Sequence, residues 1–266
     1  MKKIKICSIL LFLISTVAFA GFRFYEGVAA DRKAPVITAK EDTVQVSVED
    51  EKAKLLEGVT AKDSRDGDVT DSLVIQSLSP FIEGTQRTVN YAAVDDSGNV
   101  GYFSRTMEYS DYQAPAFSLS SPLRFPMGST INICEGLTAS SVLDGDLSGS
   151  VKYSLDRAIS NAAPASYPVE FRVTDSAGRT SYLTTEIEVF DRAAESIEVS
   201  LSAYLIYLKP GDAFDPAAYY VGADVEGDLS IQSNVNTAQA GSYYADYYVT
   251  NGARTGKTRL VVVVGE

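Results

Sequence analysis

The sequence predicts an all-β chain, three antiparallel β-sandwiches in tandem behind one N-terminal hydrophobic helix. Three observations predict it. An acidic glycine corner recurs at a near-constant interval, strand-length segments alternate in polarity, and no ten-residue stretch after the first apolar run carries a helical apolar period. The corners are Asp66-Gly67-Asp68, Asp144-Gly145-Asp146 and Glu226-Gly227-Asp228. They recur at a period of about 80 residues. A second set of markers, Ser97-Gly98, Ala177-Gly178 and Asn251-Gly252, keeps step with the first at much the same interval. Two markers in step over three units point to duplication. The implied bounds are 1–33 for a signal or anchor segment and linker, then 34–111, 112–192 and 193–266 for the three domains.

The leading element is an uninterrupted apolar run, Ile6 to Phe22, preceded by Lys2, Lys3 and Lys5 and closed by Arg23. At about 17 residues it reaches the lower limit for crossing a bilayer. Ala18-Phe19-Ala20 also fits a small-residue cleavage site, so an uncleaved anchor and a secretion signal removed near Ala20 both stand. Either way the lysines keep the amino end inside, and residues 34–266 are expected outside the cell. Membrane contact is then confined to residues 6–22. Cys7 sits too early for lipid modification.

Within each unit the strand before the second marker is the clearest. Val169, Phe171 and Val173 alternate with Glu170, Arg172 and Thr174, so one face is core and the other wet. Val89, Tyr91 and Ala93 repeat the pattern in the first unit, and Tyr243, Ala245, Tyr247 and Val249 in the third. A glycine follows each strand and supplies the backbone angle of a tight hairpin, and a second alternating or apolar strand comes after it. Strands of this length make each domain about 35–40 Å long, and three end to end about 100 Å. Each unit is expected to bury its own core, with short connectors at 110–114 and 192–196.

Composition narrows the function classes. Beyond residue 33 the chain holds 17 basic against 33 acidic residues, a net charge of −16, a poor surface for nucleic acid. Histidine is absent, which removes Ser/His/Asp and Cys/His nucleophilic sites and His-ligated zinc. Cys134 stands alone in the exported part, so no disulfide closes within it; it reads as a half-buried strand residue. Units of about 80 residues leave no insertion long enough for a catalytic cleft, and an enzyme is not expected.

The motifs carry a resemblance. APVI (34–37), GVTAKDSRDGDVT (58–70) and YAAVDDSGN (91–99), repeated as GLTASSVLDGDLS (136–148) and FRVTDSAGR (171–179), resemble the bacterial immunoglobulin-like surface domains found repeated in cell-surface proteins and appended to some secreted toxins. The segment 193–266 follows the pattern loosely, with Glu226 in place of the first corner aspartate. The resemblance implies an immunoglobulin-like sandwich and an extracellular role as spacer, adhesin or interaction module, with a protein or glycan partner at the cell surface. The fold hosts all of these functions.

Two places are candidate sites. Asp63, Asp66, Asp68 and Asp71 offer oxygen ligands for a weakly bound Ca²⁺, the one cofactor the chain suggests. The alternative is that Asp-Gly makes the turn and the carboxylates cap backbone amides, which the spacing favours. Asp95 and Asp96 read the same way, as turn residues at a solvent-exposed hairpin tip. The second candidate is GSYYADYYVTNG, where alternation sends Tyr244 and Tyr248 outward about 13 Å apart, able to stack on sugars or anchor a partner protein. They could equally cover the neighbouring strand as cross-strand pairs. The main expectation is a non-enzymatic spacer or interaction protein, and its rival a carbohydrate-binding module using those tyrosines.

Overall fold

The structure, a computed structural model, describes residues 2–29, 31–50 and 52–265, without the side chains of 2–7 and 26–29. Met1 and the side chains of Lys2, Lys3 and Lys5, which carry the orientation of the first segment, therefore lie outside what is described. That segment is one helix, α1 (Lys2–Ala29). Its stretch Ser8–Tyr25 has a mean hydropathy of 1.7 and buries nothing against the rest of the chain. By length and composition it can cross a membrane.

Among the described residues, all other regular structure is strand or short 3₁₀ turn. The chain divides into two compact units, one up to Ser110 and one from Asp111 onward. The first holds one sandwich. Its smaller sheet orders β1 (Val36–Ala39), β3 (Val59–Asp63) and β4 (Gly67–Asp68), and its larger sheet orders β2 (Thr43–Val46), β7 (Val100–Tyr109), β6 (Gln86–Val94) and β5 (Val74–Leu78). Val89, Tyr91 and Ala93 of β6 are buried between the sheets with Ile37, Val59, Ala61 and Met107, as alternation requires. The Tyr91 hydroxyl donates to the Leu55 carbonyl and accepts from Arg105, so the buried phenol is satisfied.

The second unit contains the same plan twice. Sheets β8 (Ala116–Leu119), β10 (Leu137–Ser141), β11 (Gly145–Asp146) and β9 (Arg124–Pro126), β14 (Thr180–Phe190), β13 (Ala165–Thr174), β12 (Lys152–Leu155) enclose Val169, Phe171, Val173, Leu183 and Ile187. The last sandwich pairs β15 (Val199–Leu201) with β17 (Tyr220–Ala223), against β16 (Leu205–Leu208), β20 (Arg254–Val264), β19 (Gly241–Asn251) and β18 (Asp228–Ser233). Ala245, Tyr247, Val249, Leu260 and Val262 fill it.

Four expectations are corrected. The sandwiches are not wholly antiparallel: β2 runs parallel to β7, β9 to β14 and β16 to β20. The opening segment crosses from the small sheet to the large one without reversing, so it lies alongside the last strand in the same sense. The second and third sandwiches each have a cluster of their own, but the second does not close by its own residues alone, because Val261 on the outer face of β20 is buried in it. Cys134 is half-buried but sits in a turn, held by Leu137 N–H donating to its carbonyl, and burial raises its thiol pKa.

The third corner is also not the same turn. Gly67 and Gly145 have φ of 78° and 72°, the left-handed angle an Asp-Gly corner needs. Gly227 does not adopt it; it is required because a Cβ there would lie 2.4 Å from the Thr250 carbonyl oxygen.

Candidate functional site

The first unit gathers four carboxylates from three separate pieces of chain. Asp31 lies ahead of β1, Asp63 ends β3, Asp66 follows in the corner, and Asp95 follows β6. One oxygen from each lies within 4.8 Å of the others. Each accepts from a backbone amide. Asp63 Oδ1 accepts from the amides of Arg65 (2.6 Å) and Asp66 (3.1 Å), which pull its carboxyl below the usual range. Asp95 Oδ1 accepts from the amides of Ser97 and Asn99, and Oδ2 from the Asn99 side chain at 2.8 Å. Asp66 Oδ2 accepts from Asp96 N–H, joining the corner to the hairpin tip. Asp31 Oδ1 accepts from Lys33 N–H. What remains is the other oxygen of Asp63 and of Asp31, both buried with no hydrogen-bond partner.

This differs from the ligand set read along the sequence. Asp63 and Asp66 are brought together, but Asp68 and Asp71 are not part of the group. Asp68 accepts from Thr70 N–H, and that residue's hydroxyl and amide lower its pKa; Asp71 is exposed on a 3₁₀ turn. Asp68 serves the turn. Asp95, read as a wetted tip residue, is only 5% exposed, while its neighbour Asp96 is exposed. Asp31 and Asp95 were missed because they lie far to either side of Asp63 in the chain, beyond any local pattern. A signal existed: Asp31 and Asp95 recur one repeat later as Asp111 and Asp175, in step with the corners.

The second sandwich has the same corner without the group. Asp175 Oδ1 accepts from the amides of Ala177 and Arg179, and Asp144 Oδ2 from Ser176 N–H, bond for bond as in the first. Ser141 stands where Asp63 would, its hydroxyl taking the amide of Leu143. The slot beside Asp175 Oδ2 is filled by the Tyr112 hydroxyl, donating at 2.6 Å. Burial, and then the Asp175 charge, push that phenol well above its ordinary pKa.

The tyrosine face of the last sandwich is partly spoken for. Tyr247 is buried and donates to the Pro216 carbonyl, its pKa pushed up to about 12 by burial. Tyr244 faces outward, 37% exposed, with the Arg259 guanidinium 3.9 Å from its ring centre. Tyr248 is half-buried under Lys257, 5.7 Å away. Register explains this, since β19 and β20 pair Asp246 with Arg259 and Tyr248 with Lys257 on one face. Arg259 binds both oxygens of Asp246 and reaches Glu186 on β14. Lys257 meets Glu188, which Arg124 also grips, and Arg124 extends to Glu195 and the Lys257 carbonyl. Burial works against the charge on Glu188, but Arg124 and Lys257 outweigh it and hold its carboxyl below the usual range.

No family model matches the chain. An uncharacterized 81.3 kDa protein of Acholeplasma phage L2 is 25% identical over 163 residues, which are 58% of this chain and 22% of that protein. The chain thus spans about a fifth of that relative's length. Among solved structures, the CBM51-2 and INT domains of Clostridium perfringens ZmpB in complex with GlcNAc are similar at 17% identity and a TM-score of 0.24, over 87% of this chain and 42% of theirs. Drosophila N-cadherin EC1-4 is similar at 13% identity and a TM-score of 0.23, over 78% of this chain and 63% of that one. The superpositions are too loose to set any residue of this chain on one of theirs, and the all-β class rests on the strands themselves.

Proposed function

We propose that this chain is an exported, non-enzymatic surface protein. Its immunoglobulin-like domains, with bounds at 34–111, 112–192 and 193–266, serve as spacer and contact surface for a protein or glycan partner. The observation that carries this is the pairing of α1, apolar and unburied from Ser8 to Tyr25, with an acidic all-β remainder whose apolar side chains are turned into sandwich cores. The helix then serves as membrane anchor or as a signal removed near Ala20, and the sandwiches work outside.

Mass measurement of the mature protein from membrane and medium tests it, together with labelling of intact cells by a membrane-impermeant amine reagent. Lysines after residue 33 should label in the intact cell, with residues 1–20 either retained in membranes or missing from secreted protein. A chain wholly shielded inside the cell would contradict the reading. A glycan partner is tested on an array: sugar binding abolished by Tyr244→Ala or Tyr248→Ala would favour the carbohydrate module. The cation held over each ring is why we favour a protein partner, because one face of each tyrosine is already used.

A further inference from the structure

We propose that Asp31, Asp63, Asp66 and Asp95 form a Ca²⁺ site that ties the segment ahead of β1 to the corner of the first sandwich.

Asp63 carries the argument. It is 7% exposed and belongs to the group, and its Oδ1 is taken by two amides, yet Oδ2 is buried with no donor. Asp31 Oδ2 is in the same condition. A buried, desolvated carboxylate oxygen without a partner is costly, and a cation is what such oxygens bind in the absence of hydrogen-bond donors. The dimensions suit one ion. Oxygens on opposite sides of a Ca²⁺ stand about 4.6–5.2 Å apart, twice its bond length, whereas for Mg²⁺ the limit is about 4.2 Å. The group is gathered within 4.8 Å, close enough to surround one ion, and Mg²⁺ is disfavoured by its demand for near-ideal octahedral geometry and its reluctance to lose water. All-oxygen, all-carboxylate donors also suit a hard cation over Zn²⁺. Backbone carbonyls and water would complete the six to eight ligands Ca²⁺ takes.

The second sandwich supports the assignment by contrast. There the position of Asp63 is Ser141, and the oxygen corresponding to Asp95 Oδ2 receives the Tyr112 hydroxyl. With one carboxylate fewer, and Tyr112 donating where Asn99 does in the first, that corner leaves no carboxylate oxygen buried without a partner among the described residues.

The test is calorimetric titration of the full-length chain in detergent micelles, stripped with a chelator, with CaCl₂. One site per chain is expected, with a Kd of about 10⁻⁴–10⁻³ M, as in extracellular modules. Asp63→Asn and Asp31→Asn should each weaken it by about tenfold or more, and Asp71→Asn should leave it unchanged. MgCl₂ should bind at least about tenfold more weakly. Asp63 also holds its corner, so Asp31→Asn is the decisive variant. Among the described residues its side chain accepts from the neighbouring Lys33 amide alone, so the variant should leave the sandwich folded. No binding by the wild-type chain up to about 10 mM Ca²⁺ would overturn the proposal. So would full affinity in both Asp31→Asn and Asp63→Asn, or an equal loss in Asp71→Asn, which would mean diffuse attraction to an acidic surface.

Discussion

The first and second sandwiches build one corner in two chemistries. In both, a buried aspartate after the long strand ties down its hairpin tip through two amides, and a corner aspartate accepts the tip's next amide. The backbone is therefore common property. What differs is how the remaining charge is met. Asp175 receives a phenol hydroxyl supplied by Tyr112, just after the sandwich boundary, while Asp95 shares its space with Asp31, Asp63 and Asp66. A duplicated scaffold can thus keep its turns while Ser141 replaces Asp63 and Tyr112 donates where Asn99 does in the first, so that the carboxylate with an unpartnered oxygen is present in one corner and absent from the other.

The largest effect expected is from Asp175→Ala. It orphans the Tyr112 hydroxyl and the amides of Ala177 and Arg179 at once, and should lower stability of the second unit by about 3 kcal/mol or more in chemical denaturation. Asp95→Ala should cost the first unit less in chelator than in Ca²⁺, because removing one of four clustered carboxylates also removes repulsion. Equal losses in both conditions would break the comparison. Tyr112→Phe comes next, removing one bond to a charged acceptor, about 1.5–3 kcal/mol by the same measurement.

The corners should also fail at opposite ends of the pH scale. Asp63 has a folded pKa below its unfolded value of about 3.9, so its contribution is present above that pH and is lost as pH falls through the folded value. Tyr112 is the reverse. Its folded pKa lies above the unfolded value of about 10, so its contribution is full below pH 10 and is lost as pH rises further. Other groups in each unit shift in both directions, so the comparison is with variants: Asp63→Asn should remove part of the acid loss of the first unit, and Tyr112→Phe part of the alkaline loss of the second, in melts from pH 3 to 11; wild-type pH profiles in both variants would contradict the assignment. The smallest effect is from Asp71→Asn, exposed and outside the group, within about 0.5 kcal/mol of wild type.

Much of this was legible in the sequence, and the residues say why. Val169, Phe171 and Val173 are buried in strict alternation because a strand's periodicity is local and needs no partner to be read. The hairpin glycines were legible for the same reason, Gly98 and Gly178 having φ of 84° and 86°. The site was half legible. Asp63 and Asp66 are adjacent to their turn, but Asp31 and Asp95 arrive through pairing of β1 with β3 and of β6 with β7; their recurrence as Asp111 and Asp175 marks them as repeat positions, while local spacing does not say that they meet. Tyr244 and Tyr248 point outward as alternation requires, but what lies over them comes from the neighbouring strand and from β14, which one strand's pattern cannot reveal.

The most direct test of the two-chemistry account is hydrogen exchange of the full-length chain with and without Ca²⁺, followed at two equivalent segments, 31–37 and 111–117. The account predicts that 31–37 gains protection only when Ca²⁺ is present, while 111–117, held by Tyr112, is protected equally in both conditions. Identical behaviour of the two segments, whether both respond to the ion or neither does, would contradict it.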